Sequence, residues 1–100
     1  MPPALFNFEW NASKAAANAK KHGVRFEEAA TAFADPFALV VDDPEHSEDE
    51  PRQILMGYSD HRRLLFVSFV PRADELIRII SARKAVAQEI DDYEKNNRFV

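Results

Sequence analysis

The sequence predicts an α+β domain: an antiparallel sheet with two N-terminal helices and one C-terminal helix. Two observations carry this. Apolar periodicity changes along the chain in the order β-α-α-β-β-β-β-α. The later strands are separated by segments so short that they imply antiparallel hairpins. Helices grouped at the two ends of the chain are expected to cover one face of the sheet. A length of 100 residues suits a single domain spanning 1–100.

The elements follow in order. "LFNFEW" alternates Phe6, Phe8 and Trp10 with Asn7 and Glu9, the period of a strand. Asn11 or Ser13 then offers a side-chain oxygen to cap a helix running to about His22. Within it Ala12, Ala15, Ala16 and Ala19 form a small apolar face, with Lys14, Asn18, Lys21 and His22 expected on the other side. Gly23 suits the left-handed residue that ends many helices, because it has no Cβ to clash. Lys20, Lys21 and His22 in the last turn complement the helix dipole. "RFEEAATAFA" is a second helix with Phe26, Ala29, Ala30 and Phe33 on one side, stopped at Asp35-Pro36. "FALVV", "RQILMGYS", "LLFVSFV" and "LIRIIS" are four strands, the third so apolar that both its faces should be covered. A last helix is expected from Ser81 or Ala82 to about Asn96, which places Arg83 at its start.

Hydrophobic residues make up 46% of the chain and charged residues 30%, an ordinary soluble balance. There is no cysteine, which excludes disulfides and thiolate metal sites. "MPPALFNFEW" has neither the charged start nor the long apolar stretch of a signal peptide, and no run is long enough to span a membrane. A cytoplasmic location is expected. The formal net charge of −4 argues at first against a nucleic-acid partner. Its distribution is uneven. Residues 42–51 hold six of the 17 acids and no Lys or Arg; the remainder carries 13 basic residues against 11 acids. That run reads as a solvated loop. Residues 52–84 carry seven basic residues against three acids.

Two blocks are specific. The first comprises Trp10, Lys14, Asn18, Lys21-His22-Gly23-Val24, Phe26, Glu28 and Ala29; the second is Arg78-Ile79-Ile80-Ser81-Ala82-Arg83. With "DDPEHSEDEPRQILMGYS" between them, they resemble the BrnT family of type II toxin–antitoxin toxins, over roughly residues 6–95. The resemblance implies a RelE-like fold and a bacterial endoribonuclease that cleaves RNA without metal or other cofactor. It also implies a BrnA-type antitoxin partner, which binds DNA itself, so that the chain meets DNA only through a hetero-oligomer with that antitoxin. A non-catalytic module of the same fold, holding an antitoxin and co-regulating their promoter, is the alternative.

In RelE-type cleavage a base takes the 2′-hydroxyl proton, the oxygen attacks phosphorus, and the leaving 5′-oxygen is protonated. Charge grows on the phosphoryl oxygens, where guanidinium donors act best. Arg52, Arg78 and Arg83 are the candidate donors, and His22 is the candidate acid or base because imidazole titrates near neutrality. Lys14, Lys21 and Arg72 are candidate RNA-backbone ligands. One groove is expected to hold the later-strand arginines together with Lys14, Lys21 and His22. Each candidate has a plain structural reading as well: Arg78 as an ion pair with a neighbouring strand, Arg83 as a surface charge, His22 as a helix-end cation. No Gly-rich phosphate loop, His-x-x-x-His pair or calcium loop is present.

Overall fold

The computed structural model describes residues 6–46 and 50–97. The elements are β1 (Asn7–Glu9), α1 (Ala12–His22), α2 (Phe26–Thr31), β2 (Leu39–Asp42), β3 (Gln53–Tyr58), β4 (Leu64–Pro71), β5 (Leu76–Lys84) and α3 (Ala87–Asn96). Short 3₁₀ turns follow α2 at Ala32–Ala34 and β2 at Pro44–His46. Part of the acidic run, residues 47–49, lies outside the described residues. No helix is long and apolar enough to cross a membrane among the described residues.

The expected α+β class is found, as a five-stranded sheet in the order β1-β5-β4-β3-β2. Three details differ from the sequence reading. First, β1 pairs with β5 in parallel, while β2 to β5 form the antiparallel part. Second, the helices lie on both faces. On the inner face Val24, Phe26, Ala29 and Ala32 pack with Leu55, Leu65, Val67, Phe69, Ile77, Ile79 and Ala82. On the outer face Tyr93 and Ile90 of α3 pack with Met56, Leu64 and Phe66. A nearly all-apolar β4 demands cover on both sides, and the helices divide that work. Third, β5 continues to Lys84, so Arg83 belongs to a strand and does not open a helix. Pairing with β4 as far as Leu65↔Lys84 overrides the helical propensity of this segment.

Gly23 ends α1 at φ 70°, its N–H bonded to Ala19 O at 2.9 Å. Gly57 has a different reason. A Cβ there would lie 2.7 Å from the carbonyl oxygen of Ala32, so only glycine lets the 3₁₀ turn pass against β3. Asp35, which stops that turn, receives hydrogen bonds from Phe37 N, Tyr58 N and the Tyr93 hydroxyl. It therefore joins the turn, β3 and α3. Burial and the neighbouring carboxylate push the Tyr93 hydroxyl pKa up, so it stays a donor.

Asn18 corrects the predicted helix face. It is buried, and the inward side of α1 includes Ala15, Asn18 and Ala19, while Ala12 and Ala16 are exposed. β1 pairs with β5 only as far as Arg78, which leaves the edge of β5 free beyond it. The Asn18 amide takes that place. Its Nδ2 donates to Ala82 O (2.8 Å) and its Oδ1 accepts from Ala82 N (3.1 Å), as a neighbouring peptide would. The second Nδ2 hydrogen goes to Val24 O at 2.9 Å, fixing the chain after Gly23.

A buried ion pair holds α2 to the β3–β4 turn. Glu28, its side chain 7% exposed, accepts from Arg63 Nε at 2.9 Å and from Ser59 Oγ at 2.7 Å, and Arg63 Nη2 bonds its other oxygen. The same Nη2 reaches Gly23 O at 3.1 Å, so the pair also braces the end of α1. The Arg63 hydrogen bonds hold the Glu28 carboxyl below its ordinary pKa, against the opposing effect of burial.

Two outcomes test these contacts. Asn18→Leu strands the N–H and C=O of Ala82 and the C=O of Val24, each costing about 1–3 kcal/mol. Urea unfolding should show a loss of at least about 2 kcal/mol, and a loss under about 0.5 kcal/mol contradicts the role given to the amide. Arg63→Ala should cost roughly 2–3 kcal/mol near neutral pH, less than for a fully buried pair because Arg63 is 32% exposed. A carboxylate whose pKa is lowered by folding contributes fully above its unfolded value, near 4.5, and loses that contribution as pH falls through the folded value. The gap between wild type and Arg63→Ala should therefore be flat at pH 6–8 and shrink below about pH 4.5. A gap that widens in acid contradicts the assignment.

Candidate functional site: a row of arginines on the outer face

Strand alternation decides which side chains meet. Ile77 and Ile79 belong to the inner core, so Arg78 between them faces outward. Across the sheet its partners are Val70 of β4 and Glu9 of β1. Asp43 N donates to Arg52 O, extending the β2–β3 ladder by one residue. Alternation from Ile54, which pairs with Ser68, then puts Arg52 on the outer face as well, beside Val70. Val70, Arg78 and Glu9 thus form one row across β4, β5 and β1, with Arg52 just before β3 continuing it by alternation. Ile54, Ser68 and Ser81 form the next. Met56, Phe66 and Arg83 form the third. From Val70 to Phe66 is four residues along β4, roughly 13 Å. Between the arginine rows lie Ile54, the buried Ser68 and the exposed Ser81, and a register shift beside Ser68 leaves Ile80 of β5 without a partner on β4.

Each side chain has a defined setting. Arg78 Nη1 donates to Glu9 Oε2 at 2.7 Å, and both residues are about one-third exposed. This pairing with a neighbouring strand is the plain structural reading of Arg78. Arg83 lies over the Phe66 ring, 4.0 Å from its centroid. Its Nη1 and Nη2 form a fork with Glu89 at 2.8 Å each, and Nη1 also reaches Lys84 O at 3.2 Å. Glu89 additionally accepts from Val86 N at 2.9 Å, at the start of α3. The Arg83 hydrogen bonds hold the Glu89 carboxyl below its ordinary pKa, opposed by burial, and the Arg83 guanidinium is pushed up in turn. Arg72, exposed in the β4–β5 turn, pairs with Glu50 at 3.3 Å.

The expected single groove is not what forms. Arg52, Arg78 and Arg83 share the outer face. Lys14, Lys21 and His22 stay on α1, which docks through Ala15 on the inner core and through Asn18 on the edge of β5. No hydrogen bond or ion pair among the described residues joins those three to the arginines. Composition and periodicity do not single out Glu9, Ser68, Glu89 or Phe66, which strand pairing and α3 bring to the arginines. Only the register of β1 on β5 could have found Glu9, and the sequence does not carry that register. A hollow of about 170 Å³ lined by Arg25, Glu27, Glu28, Asp60 and His61 surrounds the Glu28 clamp. Its three carboxylates make it a poor phosphate site. No cluster of His, Asp or Glu suited to a metal ion occurs among the described residues.

Guanidiniums held in place by carboxylates, one of them stacked on a ring, are groups whose chemistry suits a phosphate and charge developing on it. The crystal structure of the ribonuclease toxin BrnT of Brucella abortus has the same fold, with a TM-score of 0.60 and 22% identity over 81% of this chain and 97% of that one. No curated protein matches the chain. The family described as the ribonuclease toxin BrnT of type II toxin–antitoxin systems matches residues 10–89, and the chain belongs to that family.

Proposed function

We propose that this chain is itself an active endoribonuclease, with RNA bound across the outer face. The reading rests on one observation: Arg52, Arg78 and Arg83 come from three points in the sequence and share one sheet face. Arg78 and Arg52 flank Val70 and can grip a phosphodiester from two sides. Arg83, pre-set on Phe66, stabilises charge at the same or the adjacent phosphate. Arg72 serves the rim. The 2′-oxygen of the substrate is the nucleophile, so the cleavage proposed needs no metal, and its products are a 2′,3′-cyclic phosphate and a 5′-hydroxyl. Lys14 and Lys21 on α1 would contact more distant phosphates, and His22 has no place in the reading unless RNA bridges the two surfaces.

Cleavage in the cytoplasm would arrest growth until a BrnA-type antitoxin covers the arginine face. Carboxylates already neutralise Arg72, Arg78 and Arg83 in the free chain. An antitoxin segment carrying acids can take over those pairings without leaving a guanidinium buried and unpaired. The ion pair between Arg83 and Glu89 also favours, to a degree, the non-catalytic alternative, since a guanidinium so fully engaged has fewer donors to give. Growth after induction separates the two. Induction of the chain alone should arrest growth, and co-expression of the antitoxin should restore it; normal growth on induction alone sinks the toxin reading.

The direct test is in vitro. Arg78→Ala and Arg83→Ala should each slow cleavage of an RNA oligonucleotide by about 10²-fold, the usual effect of removing one transition-state donor. Far-UV circular dichroism should show both variants folded. Cleavage at the wild-type rate in both contradicts the site.

A further inference from the structure

We infer that Glu9 is the general base of the cleavage, an inference that rests on the proposed ribonuclease reading and adds a proton acceptor to it. A face of arginines can stabilise charge but cannot take the 2′-hydroxyl proton, because guanidinium stays protonated. Among the described residues, Glu9, Glu50 and Glu89 pair with Arg78, Arg72 and Arg83 in turn. Glu89 is spent, with two hydrogen bonds from Arg83 and one from Val86 N–H. Glu50 sits at the end of the acidic run with Asp42, Asp43 and Glu45, whose charges repel RNA, and holds Arg72 at a loose 3.3 Å.

Glu9 differs in each respect. It stands on a strand directly beside Arg78, and β1 is the edge of the sheet, so Arg78 is the charged group that faces it. Only its Oε2 is engaged; Oε1 has no hydrogen-bond partner among the described residues, and the side chain is 35% exposed. Arg78 in turn uses only Nη1 on Glu9, leaving Nε and Nη2 with no partner among the described residues. One guanidinium can therefore hold a phosphate on its free edge and the carboxylate on the other. A phosphodiester seated on Nε and Nη2 brings its ribose beside Oε1.

The proton balance is simple. Oε1 takes the 2′-hydroxyl proton as the 2′-oxygen forms its bond to phosphorus and the bond from phosphorus to the 5′-oxygen breaks. The 5′-oxygen takes a proton from solvent water, and protonated Glu9 returns its proton to the hydroxide so formed. Arg78 has the positioning role for Glu9 as well as its phosphate contact.

The test compares wild type, Glu9→Gln and Glu9→Asp on an RNA oligonucleotide and on its 2′-O-methyl analogue, which binds but lacks the attacking hydroxyl. Glu9→Gln should bind the analogue within about 3-fold of wild type and cleave RNA about 10²- to 10⁴-fold more slowly, the usual contribution of a general base. Glu9→Asp, with a shorter carboxylate, should recover part of the rate. The wild-type rate should fall on the acid side of its pH profile, and the residual rate of Glu9→Gln should lack that limb. Wild-type cleavage by Glu9→Gln overturns the inference and leaves the ribonuclease reading standing. Binding of the analogue without any cleavage by wild type overturns both. If Glu9→Gln does not fold, the wild-type profile alone decides, and a rate unchanged through the carboxylate range overturns the inference.

Discussion

The side-chain amide of Asn18 is the interaction on which the arrangement of this domain depends. β1 is three residues long and leaves the upper part of β5 without a neighbour. A free strand edge invites pairing with another chain, and its N–H and C=O groups are costly if buried unpaired. Asn18 supplies one peptide-like group at that edge and, with its remaining hydrogen, holds the carbonyl of Val24. A single residue thus fixes α1 on β5 and directs the chain into α2. The Glu28–Arg63 pair then closes the same corner from the other side by reaching Gly23 O. Because β5 carries both Arg78 and Arg83, the contact that seats α1 also fixes the strand that presents them.

Much of this fold could be read in the sequence because local rules and tertiary packing agree. Gly23 as a helix stop, the Asp35-Pro36 stop, the apolar β4 and the hairpins at Asp60–Arg63 and Arg72–Glu75 are examples. The departures come where distant partners decide. Asn18 is polar, so periodicity alone assigns it to the solvated side, but strand backbone is itself polar and welcomes an amide. Arg83 lies in a segment with no helix breaker, and only the ladder with β4 keeps it extended. Helix cover on two faces follows from α3 crossing to Met56 and Leu64, a packing choice that periodicity does not record. The arginine row is a matter of register. Arg52, Arg78 and Arg83 could be named from the sequence, but their common face could not.

The charge pattern bears on how such a face works. The chain is acidic overall, yet its outer face gathers arginines whose charges are met by carboxylates on the same surface. Half-exposed pairs of this kind add little stability on their own. They do keep the guanidiniums oriented before any phosphate arrives. Arg78 and Arg83 are oriented to different degrees. Arg83 is locked by a two-point fork and an aromatic ring, which suits a fixed electrostatic role. Arg78 shares one nitrogen with Glu9 and keeps an open edge, which suits a ligand that must receive RNA. Salt should weaken the proposed encounter with RNA, since phosphate contacts at a partly exposed surface would be screened.

The central claim is that RNA lies on the outer sheet face and not along α1. Nuclear magnetic resonance titration of the ¹⁵N-labelled chain with a 2′-O-methyl RNA oligonucleotide tests it most directly. The account predicts that the Nε–H signals of Arg52, Arg78 and Arg83 and the amides of Ser68 and Ser81 shift together, with smaller changes on α1. Shifts confined to Lys14, Lys21 and His22, with the arginine signals unmoved, would contradict it.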